Sequence, residues 1–168
     1  MPGHDPAPDV AIECLLVRLT INGVEHARTV APWISLLDLL REDLHLTGSK
    51  KGCDHGQCCP CAVLIDGQRI NACLQLAVMR DGARITKIEG LAAPDSALHP
   101  VRDASIEHDA SQCGYCTPGQ VCSAVALLAE GRAHTEEEIR ESMSGNPCRR
   151  GAYPHIVRAV QHVLAGAR

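Results

Sequence analysis

Aromatic residues are nearly absent from this 168-residue chain, which has no Phe, two Tyr and one Trp. The three rings are Trp33, Tyr115 and Tyr153. Proteins that hold single-stranded nucleic acid stack the bases on several aromatic side chains. A net charge of −4 also provides no excess of basic residues for binding phosphates. The composition therefore argues against a nucleic-acid partner, and it predicts a core built from Ala, Val, Ile and Leu.

Long apolar runs are missing as well. No stretch has the roughly 20 consecutive apolar residues that a membrane-spanning helix needs. Residues 1–10, MPGHDPAPDV, lack the basic start and apolar run of a secretory signal, and no twin-arginine leader is visible. We therefore expect no membrane partner and a cytoplasmic location, with a periplasmic one as the alternative if a leader was removed after folded export.

Cysteine, by contrast, is abundant, with ten residues in the chain. Disulfide frameworks are typical of short secreted chains whose cores are too small to fold alone. This chain is long enough to bury a core, and 45% of its residues are hydrophobic. We therefore interpret the cysteines as thiolate ligands for a metal in a reducing compartment.

The first half of the sequence has the pattern of a small sheet. β-Branched and aliphatic residues fill residues 12–21, and the pairs Asn22-Gly23 and Asp66-Gly67 predict hairpin turns. The predicted elements are strands over residues 12–21, 24–30, 62–65, 68–70 and 84–88, a helix from Ser35 to about Leu44, a loop over 47–61 and a helical turn over 74–79.

Helical periodicity replaces this pattern after Gly90. Thr117 is predicted to cap a helix that has Pro118 at its first position, and Thr135 with Glu138 predicts a capping box. Residues 91–100 read as a linker, and helices are predicted over 101–110, 119–130, 135–143 and 154–165. The fold class is therefore α+β, with a β-rich domain over residues 1–90 and a helical domain over residues 91–168.

Four cysteines in the first half form a recognisable ligand pattern. Cys53, Cys58 and Cys61 are separated by four and two residues, and Cys73 follows after a hairpin. This is the C-x4-C-x2-C pattern with a distant fourth Cys of plant-type [2Fe–2S] proteins. Two glycines in the loop permit the tight turns of a cluster-binding segment. A four-cysteine zinc site competes, although zinc ribbons usually pair two C-x2-C knuckles; Cys59 is left over and is predicted to be an inert thiol.

A second group of cysteines lies in the helical half. Cys113 and Cys116 form a C-x2-C knuckle just before a predicted helix, whose N-terminus favours negative charge. Cys148 follows about thirty residues later. From spacing alone, an incomplete zinc knuckle or ordinary buried cysteines explain this group equally well.

Together, the motifs resemble the iron–sulfur subunit of the molybdenum hydroxylases, the xanthine oxidase and aldehyde oxidoreductase family. The resemblance rests on GCDHGQCCPCAVLIDG, the single Cys73, QCGYCTPG and SMSGNPCRRGAY, in this order. The resemblance covers roughly residues 12 to 165. The sequences around residues 80–90 and 142–153 are most similar to those of bacterial aldehyde oxidoreductase small subunits.

The resemblance implies a fold and a set of ligands. It implies a β-grasp ferredoxin-like domain followed by a four-helix domain, each with one [2Fe–2S] cluster. Gln112 falls where family members place a contact to the pterin. By position, the resemblance assigns Cys53, Cys58, Cys61 and Cys73 to an outer cluster and Cys113, Cys116 and Cys148 to an inner one.

The resemblance also implies partners and an electron path. The partners would be a large molybdopterin-binding subunit and an FAD-binding subunit, in a heterotrimer or its dimer. A substrate, here expected to be an aldehyde, would be hydroxylated at molybdenum. Electrons would then pass singly through the inner and outer clusters to the flavin.

The chain departs from the family pattern at two places. Family members read C-R-C where this chain has Cys148, Arg149 and Arg150, so that Arg150 replaces the fourth inner ligand. An arginine stays protonated and has no lone pair for iron. A substitute ligand, a lost inner cluster and an error in the recorded sequence remain open; Cys122 is the nearest spare thiol but is predicted to be core. Pro60 in the outer motif removes an amide donor that could have faced a sulfur.

Two other functions compete with this interpretation. A stand-alone ferredoxin-type carrier would have a polar surface, whereas an isolated subunit should expose apolar patches. A structural zinc protein, or a degenerate subunit with only the first cluster, would differ in metal content. We find no nucleophile–base arrangement, so no catalytic residue is assigned, and the nine histidines are predicted to be surface or capping residues rather than ligands.

Overall fold

A single mixed sheet forms the first half of the protein in the computed structural model, which describes residues 13–92 and 98–166. The sheet has the strand order β2-β1-β5-β3-β4. Strand β1 pairs antiparallel with β2 and parallel with β5, and β3 pairs antiparallel with β4 and β5. The strands are β1 (Leu15–Ile21), β2 (Val24–Val30), β3 (Ala62–Ile65), β4 (Gln68–Asn71) and β5 (Arg84–Thr86).

Both predicted hairpin turns are confirmed. Asn22 and Gly23 have φ of +50° and +82°, and Asp66 and Gly67 have +50° and +85°. Two successive residues at positive φ are typical of the two-residue type I′ turn, which the Asn-Gly and Asp-Gly pairs favour. These turns fix the registers of β1 with β2 and of β3 with β4. The predicted Ile12 at the start of the first strand lies outside the described residues.

The helix predicted from Ser35 is present in a modified form. It begins as α1 (Leu36–Asp38) and continues as a π-helical turn, Leu39–Asp43. The Ser35 hydroxyl accepts a hydrogen bond from the Asp38 amide at 3.0 Å, as an N-cap does. The four leucines at positions 36, 37, 39 and 40 are buried against the sheet.

The helical turn predicted over residues 74–79 is wrong in detail. Two 3-10 turns, Ala72–Leu74 and Ala77–Arg80, flank an extended segment instead. In that segment the Gln75 carbonyl accepts a hydrogen bond from the Leu36 amide at 2.6 Å. The backbone stays extended because it provides a partner for a free amide at the start of α1.

Strand β5 is also shorter than predicted, since it ends at Thr86 and a 3-10 turn, Ile88–Gly90, follows. The Lys87 amide donates to the Asn22 side-chain oxygen at 2.8 Å. The Asn22 side chain in the first hairpin turn thus accepts a hydrogen bond from the Lys87 amide, at the point where the strand pairing stops.

Four further helices follow in the described part of the second half. The capping box at Thr135 and Glu138 is confirmed, with both reciprocal bonds present. His99 caps the first of these helices, because its Nδ1 accepts from the Val101 amide at 3.2 Å. The helices are α2 (Pro100–Glu107), α3 (Thr117–Glu130), α4 (Glu136–Met143) and α5 (Tyr153–Gly166). Among residues 13–92 and 98–166, no helix is long and apolar enough to cross a membrane.

The predicted N-cap at Thr117 is wrong. Cys116 occupies the cap position and Thr117 is the first helical residue. The Thr117 hydroxyl instead pairs with the Ser111 hydroxyl at 2.8 Å. The Thr117 hydroxyl is therefore engaged by the preceding loop, and the helix begins one residue earlier than predicted.

The buried apolar residues form two clusters. One lies between the sheet and α1, and the other packs α2 to α5 together and includes Leu64 of β3. Helix α3 is buried on most faces, as its sequence predicted, and it packs directly on β3. Aliphatic residues fill both clusters, as expected from a chain with only three aromatic residues.

An ion pair between the buried Lys87 and the more exposed Glu89 ties the loop that precedes Cys53 to the end of the sheet. Lys87 is 0% exposed; its Nζ donates to the Leu46 carbonyl at 2.6 Å and to Glu89 Oε1 at 3.1 Å. The Gly48 amide donates to the same carboxylate at 2.9 Å. Burial lowers the pKa of Lys87. Burial pushes the pKa of Glu89 upward, but its backbone hydrogen bonds and Lys87 outweigh that effect and leave the pKa lowered.

We expect Glu89→Gln to reduce the free energy of unfolding at pH 7 by about 2–3 kcal/mol. Removing one partner of a buried pair costs roughly 3–5 kcal/mol, and the partial exposure of Glu89 reduces this figure. Because the pKa of Glu89 is lowered on folding, its contribution is fully present above its ordinary pKa of 4.5 and is lost as the pH falls through the folded value.

Urea unfolding at pH 7 and at about pH 4 measures this effect. The difference between the wild type and Glu89→Gln should shrink at the lower pH. Glu42→Gln serves as the control, because the Glu42 side chain is 72% exposed and only loosely paired with Arg41. Equal losses in the two variants would contradict the role given to the Lys87–Glu89 pair.

Candidate metal centres

The loop between the π-helical turn and β3 folds around the sulfur of Cys53. The amides of His55 and Gln57 donate to Cys53 Sγ at 3.5 Å and 3.2 Å. The Cys53 amide donates to Cys58 Sγ at 3.1 Å. The backbone N–H groups thus point at the sulfurs, which is the environment that stabilises thiolates and the clusters they hold.

The β3–β4 hairpin brings the other two thiols of this group together. Cys61 immediately precedes β3, and Cys73 lies in the 3-10 turn that follows β4. Their sulfur atoms are 3.5 Å apart. The four sequence-predicted residues, here named the outer set, are Cys53, Cys58, Cys61 and Cys73.

Glycines make room for the outer set. A Cβ at Gly52 would lie 2.7 Å from Cys58 Sγ, so any side chain there would press on the sulfur. Gly56 has a φ of +83°, and a Cβ there would also lie 2.5 Å from the Leu74 side chain. The loop is therefore shaped for closely approaching sulfurs, and four thiols with amide donors fit the ligand demand of a [2Fe–2S] cluster.

The pKa values of Cys53 and Cys61, two thiols of the outer set, are shifted in opposite directions. Burial acts to raise the pKa of Cys53, but hydrogen bonds from His55 and its other neighbours outweigh it and lower the value to about 6. Burial raises the pKa of Cys61 to about 12, with the adjacent Cys73 adding to the effect. A bound metal would allow all of these thiols to be deprotonated together, because a cation compensates the negative charge of several close thiolates at once.

Cys59 stands apart from these four residues. Its thiol lines a separate cavity of about 220 Å³ together with Arg69 and Asn71, and burial raises its pKa. Its backbone is left-handed, with a φ of +56°, and its carbonyl accepts from the Ala62 amide at 2.9 Å. Cys59 therefore shapes the turn between two predicted ligands.

Cys116 and Cys148 approach each other from different elements of the helical half. Cys116 occupies the N-cap position of α3, Cys148 lies in the loop before α5, and both residues line the same cavity. Burial and the neighbouring Cys148 raise the pKa of Cys116 to about 11. Burial opposes ionisation of Cys148 too, but amide hydrogen bonds, the largest from Ala152, lower its pKa. The inner set, as named here, is Cys113, Cys116 and Cys148.

One cavity of about 420 Å³ connects the two sets. Cys53 and Cys58 of the outer set and all three residues of the inner set line it, together with Arg149 and Arg150. The Tyr115 hydroxyl, inside the C-x2-C knuckle, donates to the Lys51 carbonyl at 2.5 Å, two residues before Cys53. The two cysteine groups therefore face a shared space, and Tyr115 holds their loops together.

The inner set remains one thiol short of four. Arg150 is exposed at the rim of the cavity and, being protonated, cannot ligate iron. Cys122 does not replace the missing thiol: it is 0% exposed within the helical cluster, and its charged neighbours are Glu89 and Lys87. The prediction of Cys122 as a core residue is confirmed. Within the described residues, the inner set does not by itself complete a four-cysteine site.

Some residues of this region were missed by the sequence interpretation. Tyr153 accepts a hydrogen bond from the Cys148 amide at 2.8 Å, and Tyr115 bridges to the outer loop. Their position beside cysteines in an aromatic-poor chain was the available signal. Gln112 is exposed next to Cys113 and its contact to a pterin stays a prediction.

Comparison with known proteins agrees with this geometry. Residues 87–161 match the family model described as a [2Fe–2S] binding domain. The aldehyde oxidoreductase iron–sulfur-binding subunit PaoA of Escherichia coli O157:H7 is 49% identical, over 96% of this chain and 75% of that relative.

Solved structures show the same likeness. Quinoline 2-oxidoreductase from Pseudomonas putida 86 matches with a TM-score of 0.84 and 41% identity, over 89% of this chain and 91% of that chain. The aldehyde oxidoreductase from Desulfovibrio desulfuricans ATCC 27774 matches with a TM-score of 0.80 and 38% identity, over 91% of this chain but 17% of that one.

The cysteine groups and the mixed sheet with its helical second half define an iron–sulfur protein with the [2Fe–2S] ferredoxin-like fold. The prediction of an α+β fold is confirmed at this level. The chain belongs to the family of iron–sulfur small subunits of the molybdenum hydroxylases.

Proposed function

We propose that this chain is the electron-transfer subunit of a molybdopterin-dependent hydroxylase. It would carry electrons from a molybdenum-containing large subunit to an FAD-binding subunit. We propose an aldehyde as the substrate of the assembled enzyme, because a 49% identical relative is named an aldehyde oxidoreductase subunit. An N-heterocycle is the second choice, since a structural neighbour is a quinoline oxidoreductase.

The observation that carries this proposal is the outer set. Four thiols lie at plant-type spacing, with backbone amides directed at Cys53 Sγ and Cys58 Sγ. A [2Fe–2S] cluster held there would accept and release one electron at a time. The amides of His55 and Gln57 would favour the more negative reduced form. Pro60 has no amide hydrogen, so it cannot add a further donor.

We also propose a division into two domains, a β-grasp domain over residues 1–90 and a four-helix domain over residues 91–168. The two separate hydrophobic clusters support this division, although Leu64 of the sheet joins the second. The compartment proposed is the cytoplasm, whose reducing conditions keep thiols free to act as ligands.

Large apolar side chains on the surface support a role as a subunit rather than a stand-alone carrier. Trp33 is 60% exposed and Met79 is 73% exposed, and Leu74 and Leu76 are exposed in the segment that follows Cys73. A carrier that works alone would be expected to have polar side chains there. We propose that this surface contacts a partner subunit.

We also propose that the outer centre is the only complete one in this chain, because Arg150 stands where the inner set would need its fourth thiol. The three inner thiols supply three of the four ligands that a [2Fe–2S] cluster takes. The electron path derived from the residues of this chain therefore runs through the outer set, and we assign no step to the inner one.

Two cysteine variants test the outer set. Cys58→Ala should lose about two irons per chain together with the associated EPR signal, because a cluster with three ligands is not retained. Cys59→Ala is the matched control, one residue away in the same loop, and should keep both. Retention of iron and signal in Cys58→Ala would overturn the ligand assignment, as would their loss in Cys59→Ala at equal helical content.

A further inference from the structure

Three metal-binding side chains meet where α2 ends against α5, in a group that contains no cysteine. His108 Nε2 lies 2.9 Å from His162 Nδ1, and that nitrogen lies 3.7 Å from Glu107 Oε2. The three ligand atoms lie within 4.8 Å of one another. The group Glu107, His108 and His162 is named here the α2–α5 cluster.

The separations suit a single tetrahedral cation. Zinc binds imidazole nitrogen at about 2.0–2.1 Å and carboxylate oxygen at about 2.0–2.2 Å, so two of its tetrahedral ligands lie roughly 3.3–3.4 Å apart. The 2.9 Å between the two histidine nitrogens is shorter than this value, and the 3.7 Å between His162 Nδ1 and Glu107 Oε2 is longer. Two histidines and one glutamate, with a fourth position left for water, form a known type of zinc site.

The surroundings hold the ligands and leave them accessible. His155 lies two turns before His162 on the same face of α5, and its Nδ1 donates to the His108 carbonyl at 2.8 Å. Helix α5 therefore fixes His108 through both its backbone and its ring. An open cavity of about 730 Å³ reaches Glu107 and His162, and Asp103 adds a negative charge to its lining.

We propose that the α2–α5 cluster binds a divalent transition metal of the zinc type. The ion would join the end of α2 to α5, five residues before Cys113, and so stabilise the segment that leads into the inner set. The sequence alone predicted that the histidines would be surface or capping residues, because His108 and His162 are 54 positions apart and only the fold unites them.

The test uses zinc added to the purified chain in its iron–sulfur-loaded form. Bound zinc is counted after dialysis in the wild type, in His162→Ala and in His134→Ala, whose histidine lies before α4. We expect His162→Ala to bind about one zinc fewer than the wild type and His134→Ala to match the wild type. The thermal midpoint should rise with zinc in the wild type and in His134→Ala but not in His162→Ala.

X-ray absorption at the zinc edge distinguishes this cluster from the cysteines. The zinc that disappears in His162→Ala should have nitrogen and oxygen neighbours at about 2.0–2.1 Å, whereas thiolates would give sulfur at about 2.3 Å. Equal zinc content in the wild type and His162→Ala would overturn the proposal. Sulfur as the only neighbour of the bound zinc would overturn it as well.

Discussion

Replacing Arg150 with cysteine is expected to raise the iron content of the chain from about two to about four atoms. Arg150 lies in the cavity lining beside the inner set and cannot ligate iron. A thiol at this position would supply the fourth ligand next to Cys113, Cys116 and Cys148. A second rhombic EPR signal should then appear in the dithionite-reduced protein, beside that of the outer set.

Arg149→Cys is the matched control for this experiment. Arg149 is the neighbouring residue, is also exposed and lines the same cavity. It occupies the middle of the C-R-C pattern, so a thiol there should not complete the site. A wild-type chain that already holds about four irons would contradict the account and would mean that a ligand other than cysteine completes the inner centre.

Gly119→Ala is expected to lower the free energy of unfolding by about 2–3 kcal/mol and to disturb the outer set. A Cβ at this position would overlap the Cys59 carbonyl oxygen and would lie 2.9 Å from Pro60 Cα, and both are backbone atoms. The gain in helix propensity of at most about 1 kcal/mol does not compensate. Helix α3 would have to withdraw from the loop that carries Cys58 and Cys61.

Denaturant unfolding and EPR of the reduced protein measure the two consequences. Gly145→Ala is the control, because its added Cβ meets nothing within 4 Å and its φ is not in the left-handed region. That variant should keep the wild-type stability and EPR line shape. If Gly119→Ala proved as stable as wild type with an unchanged signal, the close packing of α3 on the outer loop would not constrain the centre.

Local signals allowed the sequence to predict much of the fold. The Asn22-Gly23 turn, the Asp66-Gly67 turn and the capping box at Thr135 each depend on residues within a few positions of one another, and each is confirmed. The prediction that Thr117 caps α3 was wrong, and the Thr117 hydroxyl forms a hydrogen bond with the Ser111 hydroxyl instead. The helical turn predicted over residues 74–79 was wrong because the backbone of this segment pairs with the start of α1. No local sequence pattern shows that contact.

The candidate sites also combine features that local sequence spacing predicts with features that depend on long-range contacts. The spacing of Cys53, Cys58 and Cys61 could be interpreted from sequence because one loop must present all three thiols. The Tyr115–Lys51 hydrogen bond spans 64 positions, and the His108–His162 contact spans 54. Contacts of this range follow from how α3 and α5 pack, so only the structure could show them.

Iron and acid-labile sulfide analysis, combined with EPR of the dithionite-reduced chain, measures whether the outer set carries a redox-active [2Fe–2S] cluster. We expect about two irons and about two sulfides per chain and a rhombic signal of about one spin, all from the cluster held by Cys53, Cys58, Cys61 and Cys73. Zinc in place of iron, with no EPR signal after reduction, would contradict the proposed role in electron transfer.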